Sequence, residues 1–249
     1  MSVELATMIE RPREWFEAAI SLLLPRRCPI CGTTLADRSR GWCTACESGM
    51  RVYDRPVCPQ CRRFLPIGSS SCETGHDPGD PAVVHAVGGF DDAFGVMVHA
   101  LKYDGYRDLA RPLGQLLADR IGGIAISTVV AVPTSPKKKR KRGYGHAEEI
   151  ADACAEALGI VRTTDALQFT RSVADQTKLN ARQRKANLKG AFAVRDGLSF
   201  EGRDVLVIDD VMTTGATMTE AGRALKAAGA KSVIGAIIAL NLSMQTRGR

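Results

Sequence analysis

The sequence predicts an open α/β sheet flanked by helices, preceded by a small cysteine-rich module. Three observations carry that prediction. From residue 81 onward, short β-branched runs alternate with stretches of helical spacing, the pattern of a parallel sheet with helices on its faces. Seven of the eight cysteines lie between Cys28 and Cys72, where long apolar runs are few. Between these regions "GHDPGDPAVV" clusters Gly, Asp and Pro, so a boundary is expected near residue 80. The expected division is residues 1–25 as an N-terminal helix, 26–80 as the cysteine module and 81–249 as the α/β domain.

The N-terminal segment carries Glu4, Glu10, Glu14 and Glu17 ahead of or inside its apolar part. A secretory signal opens on basic residues and holds few acids, so none is predicted here. A membrane span needs about 20 apolar residues, and "AAISLLL" and "VIGAIIAL" fall far short. The reading is a cytoplasmic chain with no membrane insertion.

In the cysteine module, Cys28-x2-Cys31, Cys43-x2-Cys46 and Cys58-x2-Cys61 follow one another at even spacing, and Cys72 with His76 comes after. Each Cys-x-x-Cys places two thiolates on one tight turn, and two such turns complete a tetrahedral zinc site. The eight groups supply two sites. Sequential pairing puts Cys28, Cys31, Cys43 and Cys46 on one ion and Cys58, Cys61, Cys72 and His76 on the other. An interleaved pairing satisfies the count equally, and His85 is an alternative to His76. A disulfide framework requires a secreted protein, which the N-terminus argues against. Four thiolate-type ligands leave no open position, so both ions are expected to be structural.

The α/β domain follows with strands expected at "TVVAVP", "DVLVID" and "SVIGAIIAL" and helices at "AEEIADACAEALG" and "MTEAGRALKAAGA". Cys154, alone in the first of these helices, reads as a small core residue. Ligands of open sheets sit at the carboxyl ends of strands. There "VLVIDDVMTTGAT", Val205 to Thr217, runs from a strand through Asp209 and Asp210 into a turn of hydroxyls and glycine. Gly215 allows close backbone approach, and the hydroxyls of Thr213, Thr214 and Thr217 with free N–H groups at a helix start suit a phosphate. Two carboxylates beside a phosphate suit vicinal ribose hydroxyls, whose hydrogen bonds they accept. The implied ligand is a ribose 5-phosphate. A magnesium-binding acidic pair and a purely structural strand-turn-helix are the alternatives, whereas a calcium loop lacks its alternating oxygens and terminal Glu.

Charge is split unevenly. Residues 1–80 hold ten Arg, no Lys and ten acids, so the net charge of +7 belongs to the remainder. That excess favours anionic partners such as phosphates or nucleic acid. Part of it is the run Lys137 to Arg142.

The thirteen-residue stretch "VLVIDDVMTTGAT" resembles the phosphoribosyl-diphosphate (PRPP) motif of type I phosphoribosyltransferases. "VVAVPTSPKKKRKRGYGHAEEIA" resembles their pyrophosphate-loop region and "QTKLNARQRKANLKGAFAV" their flexible active-site loop. With the cysteine knuckles in front, a double zinc ribbon, the layout is similar to the ComF/GntX family over nearly the whole chain.

The resemblance implies that Asp209 and Asp210 are the catalytic pair, binding the ribose hydroxyls, and that Val211, Met212, Thr213, Thr214, Gly215, Ala216 and Thr217 form the 5-phosphate loop. It implies a pyrophosphate loop at Thr134, Ser135, Lys137, Arg142 and Gly143, and a lid bearing Lys178, Arg182, Arg184 and Lys185. Where the family often has Arg-Gly-Phe-Asn-Gln, this chain has Arg142-Gly143-Tyr144-Gly145-His146. Related amidophosphoribosyltransferases take ammonia from a glutaminase domain with an N-terminal cysteine. This chain begins Met1-Ser2, which argues against glutamine-dependent amidation.

Two functions are implied. One is a phosphoribosyltransferase, a pentosyl transferase that uses PRPP and magnesium, with the acceptor open. The other is a competence accessory that handles single-stranded DNA in natural transformation, using the fold as a PRPP sensor or scaffold. The family suggests a DNA-uptake helicase and a recombination mediator as partners. Aromatics are only 5% of the chain, and the basic run has Tyr144 alone beside it, so a base-stacking platform is not expected.

Overall fold

The computed structural model describes residues 26–35, 37, 40–76, 79–171, 173 and 181–242, without the side chains at 181, 182 and 185. The helix expected over residues 1–25 lies outside the described residues. The chain forms two compact units, Met1–Gly49 and Met50–Arg249. The second cysteine knuckle shares its compact unit with the sheet, with Val57 bridged to Val84 and Val52 to Gly88.

In the first unit, Arg27 and Thr34 form an antiparallel bridge around the turn that carries Cys28 and Cys31. Gly32 takes a φ of 76°, which lets its N–H reach the Cys28 carbonyl at 2.8 Å. A short helix, α1 (Thr44–Ser48), starts at Cys43 and presents Cys46.

The second unit runs in chain order through β1 (Val84–Gly89), α2 (Ala93–Tyr103), α3 (Ala110–Ile121), β2 (Thr128–Ala131), α4 (Pro136–Arg142) and α5 (His146–Leu158). It continues through β3 (Leu167–Phe169), α6 (Ala181–Leu188), β4 (Phe192–Val194), β5 (Asp204–Met212), α7 (Ala216–Ala227) and β6 (Ser232–Leu240). The four long-range strands form a parallel sheet in the order β1-β6-β5-β2, and a single parallel bridge from Val129 to Arg162 continues it past β2. β3 and β4 make a separate antiparallel pair.

All three expected strands and both expected helices are present. Their apolar runs are nearly continuous because helices cover both faces of the sheet. On one face Val130, Val207 and Ile237 pack with Met218, Ala221 and Leu225 of α7 and with Phe192 and Phe200. On the other, α2 and α3 pack on β1 and β6, and α5 packs on β2 and β5. Leu117 and Ile150 there are fully buried, each stabilising by roughly 2 kcal/mol. Cys154 is likewise a buried core residue. The carboxyl ends of β2 and β5 lie side by side, since Thr128–Ala131 is in register with Val205–Ile208.

Candidate functional site

β5 stays extended through Met212, three residues past the expected end, so Asp209 and Asp210 are still on the strand. Successive strand side chains leave opposite sides of a sheet, which separates the two carboxylates although they are neighbours in sequence. Asp210 follows Leu206 and Ile208 towards the α2 and α5 side. Lys102 Nζ lies 2.7 Å from its Oδ1, and His146 Nδ1 lies 3.5 Å from its Oδ2. Burial works against the Asp210 charge, yet Lys102 and then His146 outweigh it and hold the carboxyl below its ordinary value. Asp209 is pushed up to about 7, first by burial and next by the Asp210 charge beside it. The pair therefore divides into one firmly ionised acid and one poised acid. Burial lowers the His146 imidazole, with the Asp210 charge working the other way.

The turn that follows is built for close approach. Gly215 takes a φ of 78° and caps α7, and the Thr219 N–H returns to its carbonyl at 2.9 Å. A Cβ on Gly215 would sit 2.0 Å from the Pro59 carbonyl oxygen, so only glycine fits between the turn and the second cysteine knuckle. Thr213, Thr214 and Thr217 are partly exposed around the helix start, while Met212 and Ala216 are buried beneath it and Val211 is intermediate. This combination of open N–H groups, positive helix end and hydroxyls matches the chemistry of a phosphate cradle.

The residues expected to form a pyrophosphate loop follow β2. Glu148 of α5 accepts from both the N–H and the hydroxyl of Thr134, at 3.2 and 2.8 Å. Ser135 caps α4, which begins at Pro136 and ends at Gly143 with a φ of 84°. The basic run is thus a helix, because Pro is tolerated at the first position and Lys and Arg propagate well. Lys137 is exposed, whereas Arg142 turns back to His146 Nε2 at 2.5 Å and lies 4.7 Å over the Tyr103 ring.

The departure at residues 144–146 has a local cause. Tyr144 donates to the Leu101 carbonyl at 2.5 Å, next to Lys102. A Cβ on Gly145 would meet the Glu148 carboxylate at 1.8 Å, so a larger residue there would displace the group that holds Thr134. His146 takes the place beside Asp210.

Of the expected lid, Lys178 lies outside the described residues, as do the side chains of Arg182 and Lys185. Arg184 donates to the Thr213 hydroxyl at 3.1 Å, which brings the start of α6 to the turn.

The metal-site groups assemble in the sequential pairing. Cys28, Cys31, Cys43 and Cys46 form one group and Cys58, Cys61, Cys72 and His76 the other, with all ligand atoms of a group within 4.8 Å of one another. A tetrahedral zinc with bonds near 2.3 Å sets neighbouring sulfurs about 3.8 Å apart. Cys31 and Cys43 are at 3.6 Å, Cys61 and Cys72 at 3.5 Å, and Cys72 and His76 Nδ1 at 3.6 Å, so both groups fit zinc. His85 is instead buried on β1.

Residues 124–247 match the phosphoribosyl transferase domain and residues 19–75 the double zinc ribbon domain. The DNA utilization protein YhgH of Escherichia coli is 30% identical over 224 residues, covering 85% of this chain and 96% of that protein. The chain belongs to the ComF/GntX family. Competence protein F of Haemophilus influenzae is 24% identical, over 83% of this chain and 93% of its own length. Competence protein ComFC of Streptococcus pneumoniae is 23% identical, over 83% and 96%.

Among solved structures, the glutamine PRPP amidotransferase of Bacillus subtilis is 22% identical with a TM-score of 0.40, covering 56% of this chain and only 30% of that enzyme. The purine phosphoribosyltransferase of Pyrococcus horikoshii is 16% identical with a TM-score of 0.36, over 53% and 73%.

Within this ComF-type frame, sequence reading missed Lys102, Glu148 and His146. Lys102 is 108 residues from Asp210, and nothing in the spacing of α2 marks it. His146 and Glu148 lie inside the stretch quoted for the pyrophosphate loop, and the departure at residue 146 was the available signal.

Proposed function

We propose that this ComF-type chain binds PRPP at the carboxyl ends of β2 and β5 and serves DNA uptake in natural transformation from the cytoplasm. The observation that supports this most is the Thr213–Thr217 turn at the start of α7, placed directly after Asp209 and Asp210. The turn holds the 5-phosphate. The two acids accept from the ribose hydroxyls, with Lys102 keeping Asp210 ionised. Thr134, Ser135, Gly143 and one or two of the α4 cations, Lys137 and Arg142 among them, face the pyrophosphate.

The chemistry is transfer of the phosphoribosyl group to an acceptor. An acceptor lone pair attacks C1 as the C1–O bond to pyrophosphate breaks, and oxocarbenium character develops between them. The protein lowers that barrier by stabilising the departing anion with fixed positive charge. Asp209 and Asp210 are oxygen donors of the type magnesium prefers, and bound with PRPP the ion would neutralise the leaving pyrophosphate. Arg184, at the turn, adds a cation near the phosphate.

A second reading is favoured by Tyr103. Tyr103 is 58% exposed, Arg142 lies over its ring, and the His99 ring is 4.8 Å away, all beside the basic helix α4. The structure thus supplies an aromatic that sequence reading did not find, and base stacking flanked by cations is how single strands are held. In this reading the chain handles single-stranded DNA, with the uptake helicase and recombination mediator as partners, and PRPP is a sensed ligand.

Pyrophosphate release separates the two. PRPP and magnesium with a panel of bases, nucleotides and DNA ends should yield pyrophosphate if the chain is a transferase. PRPP binding with no release on any acceptor, together with single-strand affinity lost in Tyr103→Ala, would instead establish the second reading.

A further inference from the structure

The two cysteine knuckles repeat one another almost bond for bond. Cys28 N–H to the Thr33 carbonyl, at 2.7 Å, recurs as Cys58 N–H to the Arg63 carbonyl at 2.9 Å. Gly32 N–H to the Cys28 carbonyl recurs as Arg62 N–H to the Cys58 carbonyl, both 2.8 Å. The bridge Arg27 to Thr34 recurs as Val57 to Phe64. Gly32 and Arg62 therefore occupy the same position in the motif, and both have left-handed backbone, with φ of 76° and 64°.

That conformation favours glycine, and the first knuckle uses one. An arginine held there carries backbone strain that its side chain must justify. The Arg62 guanidinium reaches out of the knuckle and donates through Nη1 to the Thr213 carbonyl at 2.6 Å and to the Asn241 carbonyl at 3.1 Å. It ties the start of the β5–α7 turn to the end of β6. The Pro59 carbonyl of the same knuckle fills the space that a Cβ on Gly215 would take.

We propose that Arg62 is a positioning residue for the phosphate turn, and that the second cysteine knuckle serves as the rigid base from which it acts. Both contacts are to main-chain carbonyls, so Arg62 acts on the backbone of the turn. The first knuckle, with glycine at the matching position, has no such side chain and is structural only. This inference rests on the reading that the turn binds a ribose 5-phosphate.

The test uses the full zinc-loaded chain, with Arg62→Gly and Arg62→Lys. Glycine relieves the backbone, so Arg62→Gly is expected to fold, to melt no lower than the wild type and to keep its zinc. Its affinity for ribose 5-phosphate, measured calorimetrically, should fall by about tenfold, the scale of one lost charge-assisted hydrogen-bonding group. Arg62→Lys, which keeps a cationic donor, should recover most of that loss. A merely structural role would lower the melting point or the zinc content and would show no recovery with lysine. Arg62→Gly binding ribose 5-phosphate within twofold of the wild type, at full zinc content, would overturn the proposal. Wild-type protein that binds neither ribose 5-phosphate nor PRPP would overturn the reading of the site, and the proposal with it.

Discussion

Lys102 at the end of α2 and Asp210 near the end of β5 form a direct ion pair at 2.7 Å, with both side chains largely out of water. A ligand hydroxyl or a cation that approaches Asp210 must share it with Lys102. The pair thus sets the charge of the crevice before any ligand arrives.

Removing the cation alone leaves a buried carboxylate without its partner. Lys102→Met should destabilise the fold by about 3 kcal/mol, and Lys102→Met with Asp210→Asn should recover much of the loss. Urea denaturation of the two variants and the wild type checks this. Equal stability of the single and double variants would show that the pair is not coupled.

His85 should contribute a loss of stability on acidification. Burial first, and Arg120 second, push its imidazole down to about 4. The unfolded chain takes up this proton below about 6.5 and the folded chain only near 4, so the stability this group contributes falls as pH drops through that window. The loss approaches about 3 kcal/mol. The lowered His146 and Asp210 groups add losses of the same sign as pH falls, whereas Asp209, raised to about 7, contributes in the opposite direction between about pH 7 and 4. The melting temperature of His85→Leu should rise relative to that of the wild type as pH drops from 6.5 to 4, and a difference that does not change with pH would point elsewhere.

Gly215→Ala should be costly for two reasons, the φ of 78° and the 2.0 Å approach to the Pro59 oxygen. A loss of at least about 2 kcal/mol is expected, with weaker ribose 5-phosphate binding. Thermal melting and calorimetry test the two effects separately.

Metal analysis should find two zinc ions per chain. Cys61→Ser should leave one, and because its knuckle carries Arg62 it should also weaken ribose 5-phosphate binding. Cys31→Ser should lose one zinc with little effect on that affinity, since the cluster to which it belongs lies in the other unit.

The strands, the main helices and the two metal groups were legible because each is written in local pattern: β-branched runs, helical spacing, Cys-x-x-Cys. The turn at Thr213–Thr217 was legible for the same reason, as hydroxyls and glycine directly after a strand. The partners of Asp210 were not, since Lys102 and His146 reach it only once α2 and α5 have packed on the same face of the sheet. Nor was Arg62, which meets the turn across 151 residues of sequence. Tyr103 escaped notice as an aromatic neighbour of the basic run because only the fold brings α2 beside α4. The basic run itself was expected as a loop, and the winning factor was the helix-forming tendency of "PKKKRKR" between a proline and a glycine.

The central claim is that PRPP binds beside Asp209 and Asp210. Calorimetric titration with PRPP, with and without magnesium, against the wild type and the Asp209→Asn/Asp210→Asn double variant, tests it most directly. The account predicts magnesium-dependent binding to the wild type and its loss in the double variant. Absence of PRPP binding to the wild type, or equal binding by the variant, would contradict it.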